Sequence, residues 1–171
     1  MNLFKRIKPK RKELLAQLIL VGILTVVFVI MGIHKQISFC DEMFTYDSAN
    51  SDLPVGRSIL NTEEWVTGNE IQNFLSASEI SLDAYKMISY HLYKDHVPLY
   101  FWMFRTVSAL LFSDSYTKWI GLVCNYPFYI GMGLLLYRFF SKRFGGVFSF
   151  LCVLPVMLHP CMIAQATMIR M

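Results

Sequence analysis

A run of twenty apolar residues, Leu14–Ile33, directly behind a basic cluster constrains this chain more than any other feature. Only Gln17 and Thr25 interrupt it with polar side chains. At the helical rise per residue, a run of this length covers roughly the 30 Å hydrocarbon core of a bilayer. A cleaved signal peptide has a shorter apolar core and a small-residue cleavage site. The sequence after the run, Gly32-Ile33-His34-Lys35, is no such site. The segment therefore reads as an uncleaved signal anchor. Lys5, Arg6, Lys8, Lys10, Arg11 and Lys12 would hold the N-terminus in the cytoplasm.

Composition agrees. The chain is 55% hydrophobic and 16% charged, against roughly 25% charged in ordinary soluble domains. The formal net charge of +4 hides a segregation: six of the sixteen Lys/Arg residues lie in Lys5–Lys12, and eleven of the twelve carboxylates lie between Asp41 and Asp114. A basic cluster abutting an apolar run marks a membrane flank rather than a nucleic-acid surface, so no nucleic-acid partner is expected. The four cysteines form no CxxC pair and no metal-ligand spacing, which predicts neither a disulfide nor structural zinc. Cys124, Cys152 and Cys161 read as small buried hydrophobes in apolar segments.

From His34 to about Lys118 the chain is polar or mixed. Residues Asn50–Gly56 look like a turn, Asn61-Thr62-Glu63-Glu64 like a helix start, and Ile80–Tyr93 is weakly amphipathic. Val97–Phe112 is apolar but short, with Arg105 at its centre. A central arginine opposes insertion by about 2.5–3.5 kcal/mol, and Tyr100, Phe101, Trp102 and Phe104 suit the headgroup region. The segment (97–112) is expected to be a juxtamembrane helix on the membrane surface. A second span follows at 119–138, despite Asn125 and Pro127, and a third at 147–164, containing Pro155, His159 and Pro160.

Charge placement fixes the expected topology. With 97–112 interfacial, Arg138, Lys142 and Arg143 fall in a cytoplasmic turn at 139–146. Loop 34–118 and the end at 165–171 then face the extracytoplasmic side of the plasma membrane. If 97–112 spanned instead, the basic turn would lie outside. The expected fold class is all-α integral membrane: three transmembrane helices with a large, partly helical first outer loop. The stop at Arg170-Met171, close behind an apolar segment, reads as the N-terminal portion of a longer protein or a truncated product.

Three places could carry chemistry. Asp41-Glu42 lies just beyond the first span, either as a solvated acidic turn or as a carboxylate pair that takes a proton from a hydroxyl or binds a cation. Lys94-Asp95-His96-Val97-Pro98-Leu99-Tyr100 joins titratable groups to a proline-started helix, whose free N–H groups could meet a phosphate; otherwise it is a polar loop. Arg170 follows the third span, either as an interfacial anchor or as a two-pronged phosphate grip. His159 is left outside the site, since it can bond a carbonyl freed by Pro160. Gly145-Gly146 reads as a turn and lacks the phosphate-loop pattern.

Taken in order, these features resemble the N-terminal part of C-type-fold glycosyltransferases. The nearest likeness is to glycosyltransferase family 39, which includes protein O-mannosyltransferases and, more distantly, aminoarabinose transferases. In that family the first outer loop carries an Asp-Glu pair, matched here by Asp41 and Glu42. It later carries a His-Pro-Pro-Leu-Tyr-like motif, matched by His96-Val97-Pro98-Leu99-Tyr100 with valine for the first proline. A further Arg-x-Tyr motif is matched only at its start, by Arg170-Met171. The resemblance implies transfer of a sugar from a polyprenyl-phosphate donor to an acceptor hydroxyl on the extracytoplasmic face. It casts Asp41 as general base, Glu42 as a group that positions the acceptor or a neighbour, and His96 and Arg170 as ligands of the donor phosphate. The implied partners are membrane lipid and a polyprenyl-phosphate-linked sugar. No cofactor is firmly implied, a divalent cation is left open, and oligomeric state is not specified. Two other classes compete: a non-catalytic membrane scaffold or subunit, and a transporter fragment using His159 and Arg170. Whether the chain acts alone as an enzyme is open at this point.

Overall fold

A computed structural model of the chain describes residues 11–35, 40–50, 65–75, 82–92, 98–112 and 116–169, and every regular element among them is an α-helix. The expected turn at Asn50–Gly56 lies outside these residues but for Asn50, and the expected helix start at 61–64 lies wholly outside them. The helices are α1 (Arg11–His34), α2 (Cys40–Asn50), α3 (Gly68–Leu75), α4 (Leu82–Leu92), α5 (Pro98–Leu111), α6 (Trp119–Phe144), α7 (Gly146–Met157) and α8 (Pro160–Thr167). They divide into two compact units. One joins Met1–Lys35 with Tyr126–Thr167, the other Gln36–Asn125 with Met168–Met171.

The first unit holds the helices long and apolar enough to cross a membrane: α1, and α6 beyond its opening turns. Helix α1 is apolar around its whole circumference. Leu20, Leu24, Phe28 and Gly32, one residue in four, form its buried stripe, while Leu15, Leu18, Val26 and Ile33 stand exposed on other faces. Phe28 packs edge-on against Tyr126, with ring centroids 5.5 Å apart, and stacks on Tyr129 at 5.6 Å. The Thr25 hydroxyl bonds the Val21 carbonyl at 2.7 Å and meets the Tyr126 hydroxyl at 2.8 Å, so its polar group is satisfied within the unit.

Helix α6 begins where the sequence places it but continues to Phe144, through Arg138, Lys142 and Arg143. The expected turn at 139–146 thus shrinks to Gly145, whose φ of +82° suits glycine and separates α6 from α7. The segment expected as a third span is a bent pair, α7 and α8, which meet at 64° and together are long and apolar enough to cross a membrane as one broken span. Pro160 has no N–H to continue the helical ladder, and the groups freed at the break find other partners. The His159 N–H donates to the Val156 carbonyl at 3.3 Å, the Tyr129 hydroxyl donates to the Met157 carbonyl at 2.8 Å, and His159 Nδ1 accepts the Cys161 N–H at 3.2 Å. His159 therefore caps the start of α8 and does not bond a carbonyl through its ring. A break satisfied in this way is compatible with an apolar surrounding.

The second unit gathers the segment read as an outer loop. Its core is Tyr46, Ala49, Ile88, Phe101, Phe104, Ile120, Cys124 and Ile169. Helix α5 supplies the centre, with Phe101, Phe104, Arg105 and Ser108 buried at helical spacing. Leu99, Leu110 and Leu111 stay exposed on it. Arg105 thus faces inward: its guanidinium donates to the Ala49 and Asn50 carbonyls at 3.4 and 3.1 Å, at the end of α2 where orphan carbonyls attract a cation. Asn50 Nδ2 donates to the Ser108 hydroxyl at 3.0 Å. Helix α4 is tied to α5 by the Tyr85 and Thr106 hydroxyls at 2.7 Å and by Trp102 Nε1 donating to the Tyr85 carbonyl at 3.2 Å. Helix α3 starts with a reciprocal cap. The Thr67 N–H and hydroxyl each donate to Glu70 Oε2 at 2.7 Å, and the Glu70 N–H donates back to the Thr67 hydroxyl at 3.4 Å. The Thr67 N–H first, then its hydroxyl, hold the Glu70 carboxyl below the usual carboxylate range.

Two cysteine expectations change in detail. Cys124 is buried, but Cys152 is half-buried and Cys161 is exposed on α8; all three are free thiols.

Candidate functional site

The acidic pair lies in the first turn of α2. Asp41 is placed there as a backbone position in the first turn. Glu42 is completely buried, and its Oε1 accepts the N–H of Ile169 at 2.9 Å, across 127 residues of sequence. A buried carboxylate is costly unless it is hydrogen-bonded, and a backbone N–H is a strong donor for it.

The other side of the same peptide group is held as well. The Asn125 amide donates to the Met168 carbonyl at 2.8 Å. Asn125 in turn accepts the Tyr100 hydroxyl at 2.9 Å. The Met168–Ile169 peptide is therefore gripped at its oxygen by α6 and at its nitrogen by α2, with α5 bracing the α6 residue. The Ile169 side chain is buried and lies so close to Gly121 that a methyl group there would strike it. A glycine on α6 thus lets residue 169 approach the helix backbone.

Aromatic side chains close this cluster. Tyr46 is buried edge-on against Phe104 and Tyr116, each with ring centroids at 4.7 Å, and its hydroxyl donates to the Thr117 carbonyl at 2.7 Å. Tyr116 donates to the Met43 sulfur at 3.2 Å. Burial, then the neighbouring Tyr116, raises the Tyr46 phenol far above its ordinary value; the Glu42 carboxylate adds to this. Burial also raises Tyr100, reinforced by Cys124 and Glu42. Both phenols therefore keep their protons and serve as donors at neutral pH.

The structure thus unites the first turns of α2, α5 and α6 with the Met168–Ile169 segment. Of the residues expected in the site, Glu42 stands in this cluster, and Asp41 is its neighbour in sequence. His96 and Arg170 lie outside the described residues. Pro98, two residues past His96, begins α5, and Ile169, one residue before Arg170, is the group that Glu42 holds. Two positions to which the sequence argument gave no role belong here: Asn125, noted only as an interruption of a span, and Tyr100, noted as an interfacial aromatic and as the last residue of the His96–Tyr100 motif. A strongly hydrogen-bonding amide inside an apolar run was the available signal, since such a group needs a partner. Among the described residues no group of three His, Cys, Asp or Glu side chains could hold a metal ion.

No family model, no curated protein and no solved structure matches the chain.

Proposed function

We propose that these residues belong to a membrane-embedded glycosyltransferase that takes a sugar from a polyprenyl-phosphate donor. The observation that carries the proposal is the Glu42–Ile169 hydrogen bond. It ties the acidic pair to the residue preceding Arg170, while Tyr100 and Asn125 bring the start of the helix behind His96 to the same place. Described residues that adjoin the three motifs in sequence, Glu42, Tyr100 and Ile169, are linked through these bonds, which supports the reading.

The membrane setting is part of the same reading. An all-round apolar helix such as α1 is a bilayer span or a deeply buried core helix, and most of its surface is uncovered. Helix α5 directs its arginine inward and leucines outward, the polarity of a helix lying against lipid headgroups and acyl chains. With α1, α6 and the bent α7–α8 pair crossing the bilayer, the acidic pair and Arg170 share the extracytoplasmic side and the basic end of α6 stays cytoplasmic.

In this site Asp41 takes the proton of an acceptor hydroxyl as its oxygen attacks the anomeric carbon. The new carbon–oxygen bond to the acceptor forms, and the bond to the lipid phosphate breaks with its electron pair leaving on phosphate. His96 and Arg170 offset the charge that develops there. A phosphate leaving group needs no strong general acid. The test is transfer from a polyprenyl-phosphate sugar in vesicles, with wild type and Asp41→Asn compared. Transfer that falls by on the order of a hundredfold or more, as expected for loss of a general base, supports the reading. Undiminished turnover removes Asp41 as the base.

A further inference from the structure

We propose that the α6–α7 turn binds an anionic membrane phospholipid, with the lipid phosphate on the first N–H groups of α7. The proposal rests on the membrane setting and not on sugar transfer. With α6 crossing the bilayer, its end at Phe144 falls at headgroup level. A hollow of about 490 Å³ opens there, lined by Phe144, Gly145, Gly146, Val147, Phe148 and Leu151.

The start of α7 is left open. Its N-cap is Gly145, which makes no side-chain cap bond. The first helical bond runs from the Ser149 N–H to the Gly145 carbonyl at 3.1 Å, so the N–H groups of Gly146, Val147 and Phe148 have no partner within the helix. Those groups and the helix dipole favour an anion. A second observation points to a ligand. The Tyr137 side chain is completely buried, and its hydroxyl has no hydrogen-bond partner among the described residues. That hydroxyl stands 3.0 Å from where a side chain on Gly146 would begin, at the first residue of α7. A buried O–H without an acceptor is costly. A phosphate oxygen seated on the α7 N–H groups supplies one.

Charge and shape select the class of ligand. Lys142 and Arg143 lie in the last turn of α6 and are exposed, and Arg143 is held over the Phe139 ring at 5.4 Å. Two cations beside a positive helix end favour a net anion over a zwitterion. A row of rings, Phe140, Phe144 and Phe148, runs from α6 onto α7 with centroids 6.2 and 5.6 Å apart. Phe144, Val147, Phe148 and Leu151 are exposed and suit acyl chains, which a free phosphate lacks. Glu13 is the opposing charge: its Cγ lies 4.0 Å from the same point at Gly146.

Native mass spectrometry of the full chain in detergent tests the site with three probes: dioleoyl phosphatidylglycerol, dioleoyl phosphatidylcholine and dioleoylglycerol. Phosphatidylglycerol should be held on the order of tenfold more tightly than the other two, the scale of one charge-assisted hydrogen bond. Val147→Pro deletes one free N–H in the first helical turn, where proline is tolerated, and Val147 is exposed, so little packing is lost. Val147→Pro and Tyr137→Phe should each weaken phosphatidylglycerol binding on the order of tenfold and leave dioleoylglycerol unchanged. Glu13→Gln should tighten phosphatidylglycerol binding. Equal retention of the three lipids, or phosphatidylglycerol binding unchanged in both Val147→Pro and Tyr137→Phe, overturns the site. Thermal unfolding in lipid-free detergent gives a readout without ligand. Tyr137→Phe should be as stable as the wild type or more so, because it removes a hydroxyl that the protein leaves unsatisfied. A lower melting temperature would give that hydroxyl a partner within the protein and overturn its place in the site.

Discussion

Glycines show at the scale of single residues how unevenly α6 is loaded. Gly121 is backed by the Ile169 side chain, so a methyl group there must displace a buried residue. Gly131, on the same helix, has open space where a side chain would go. Gly121→Ala is therefore expected to destabilise the second unit by about 1–3 kcal/mol, the usual range for overpacking. Gly131→Ala should be neutral or stabilising by up to about 1 kcal/mol through helix propensity. Thermal unfolding of both variants in detergent checks the contrast, and equal effects would mean that residue 169 does not lean on α6. The same close approach explains why Ile169 could not be recognised from sequence: its neighbours Gly121 and Glu42 are distant along the chain, and nothing in Met168-Ile169 signals them.

Among the elements, α5 is the most informative. Its apolar pattern and proline start made a helix legible, and the observed Pro98–Leu111 lies within the expected 97–112. Its direction of facing was not legible. Arg105 looked like an obstacle to insertion, whereas it is the cation that meets the α2 carbonyls. That partner is tertiary and has no local sequence signal. Phe104→Ala should cost about 3–5 kcal/mol, as for other buried phenylalanines. Arg105→Met should cost about 1–3 kcal/mol by stripping the α2 carbonyls of a donor, although it removes a charge from the interior. Leu99→Ala, on the exposed face, should stay within about 0.5 kcal/mol. Chemical denaturation in a mild detergent ranks the three, and a stabilising Arg105→Met would remove its role at α2. The α7–α8 break teaches a related lesson. Pro127 and Pro155 sit inside continuous helices, so proline alone did not locate the bend. The partners that satisfy it, Tyr129 for the Met157 carbonyl and His159 for the Cys161 N–H, distinguish Pro160. Helix α3 was missed although Thr67-Gly68-Asn69-Glu70 spells its cap in the sequence and Ile71, Phe74 and Leu75 follow at i, i+3 and i+4; the pattern lasts barely two turns, too short to stand out between polar segments.

For the whole molecule, the long apolar helices were the most legible part, because hydropathy over a full bilayer thickness is a signal few soluble segments share. The site was legible only as a set of separate motifs; the contacts that join Glu42 to Ile169 and Asn125 to Met168 are made by folding. The proposal joins these two levels: if α1, α6 and the α7–α8 pair cross the membrane, Asp41, His96 and Arg170 fall on one side of it. The end of α6 decides it. A single cysteine at Ser141, near Arg138, Lys142 and Arg143, in a chain whose four native cysteines are replaced, can be tested with a membrane-impermeant thiol reagent. Labelling from the cytoplasmic side alone is the predicted result. It would keep the acidic pair and Arg170 in the extracytoplasmic compartment. Labelling from the outside would make 97–112 a true span, place Arg170 opposite Asp41 and contradict the shared site.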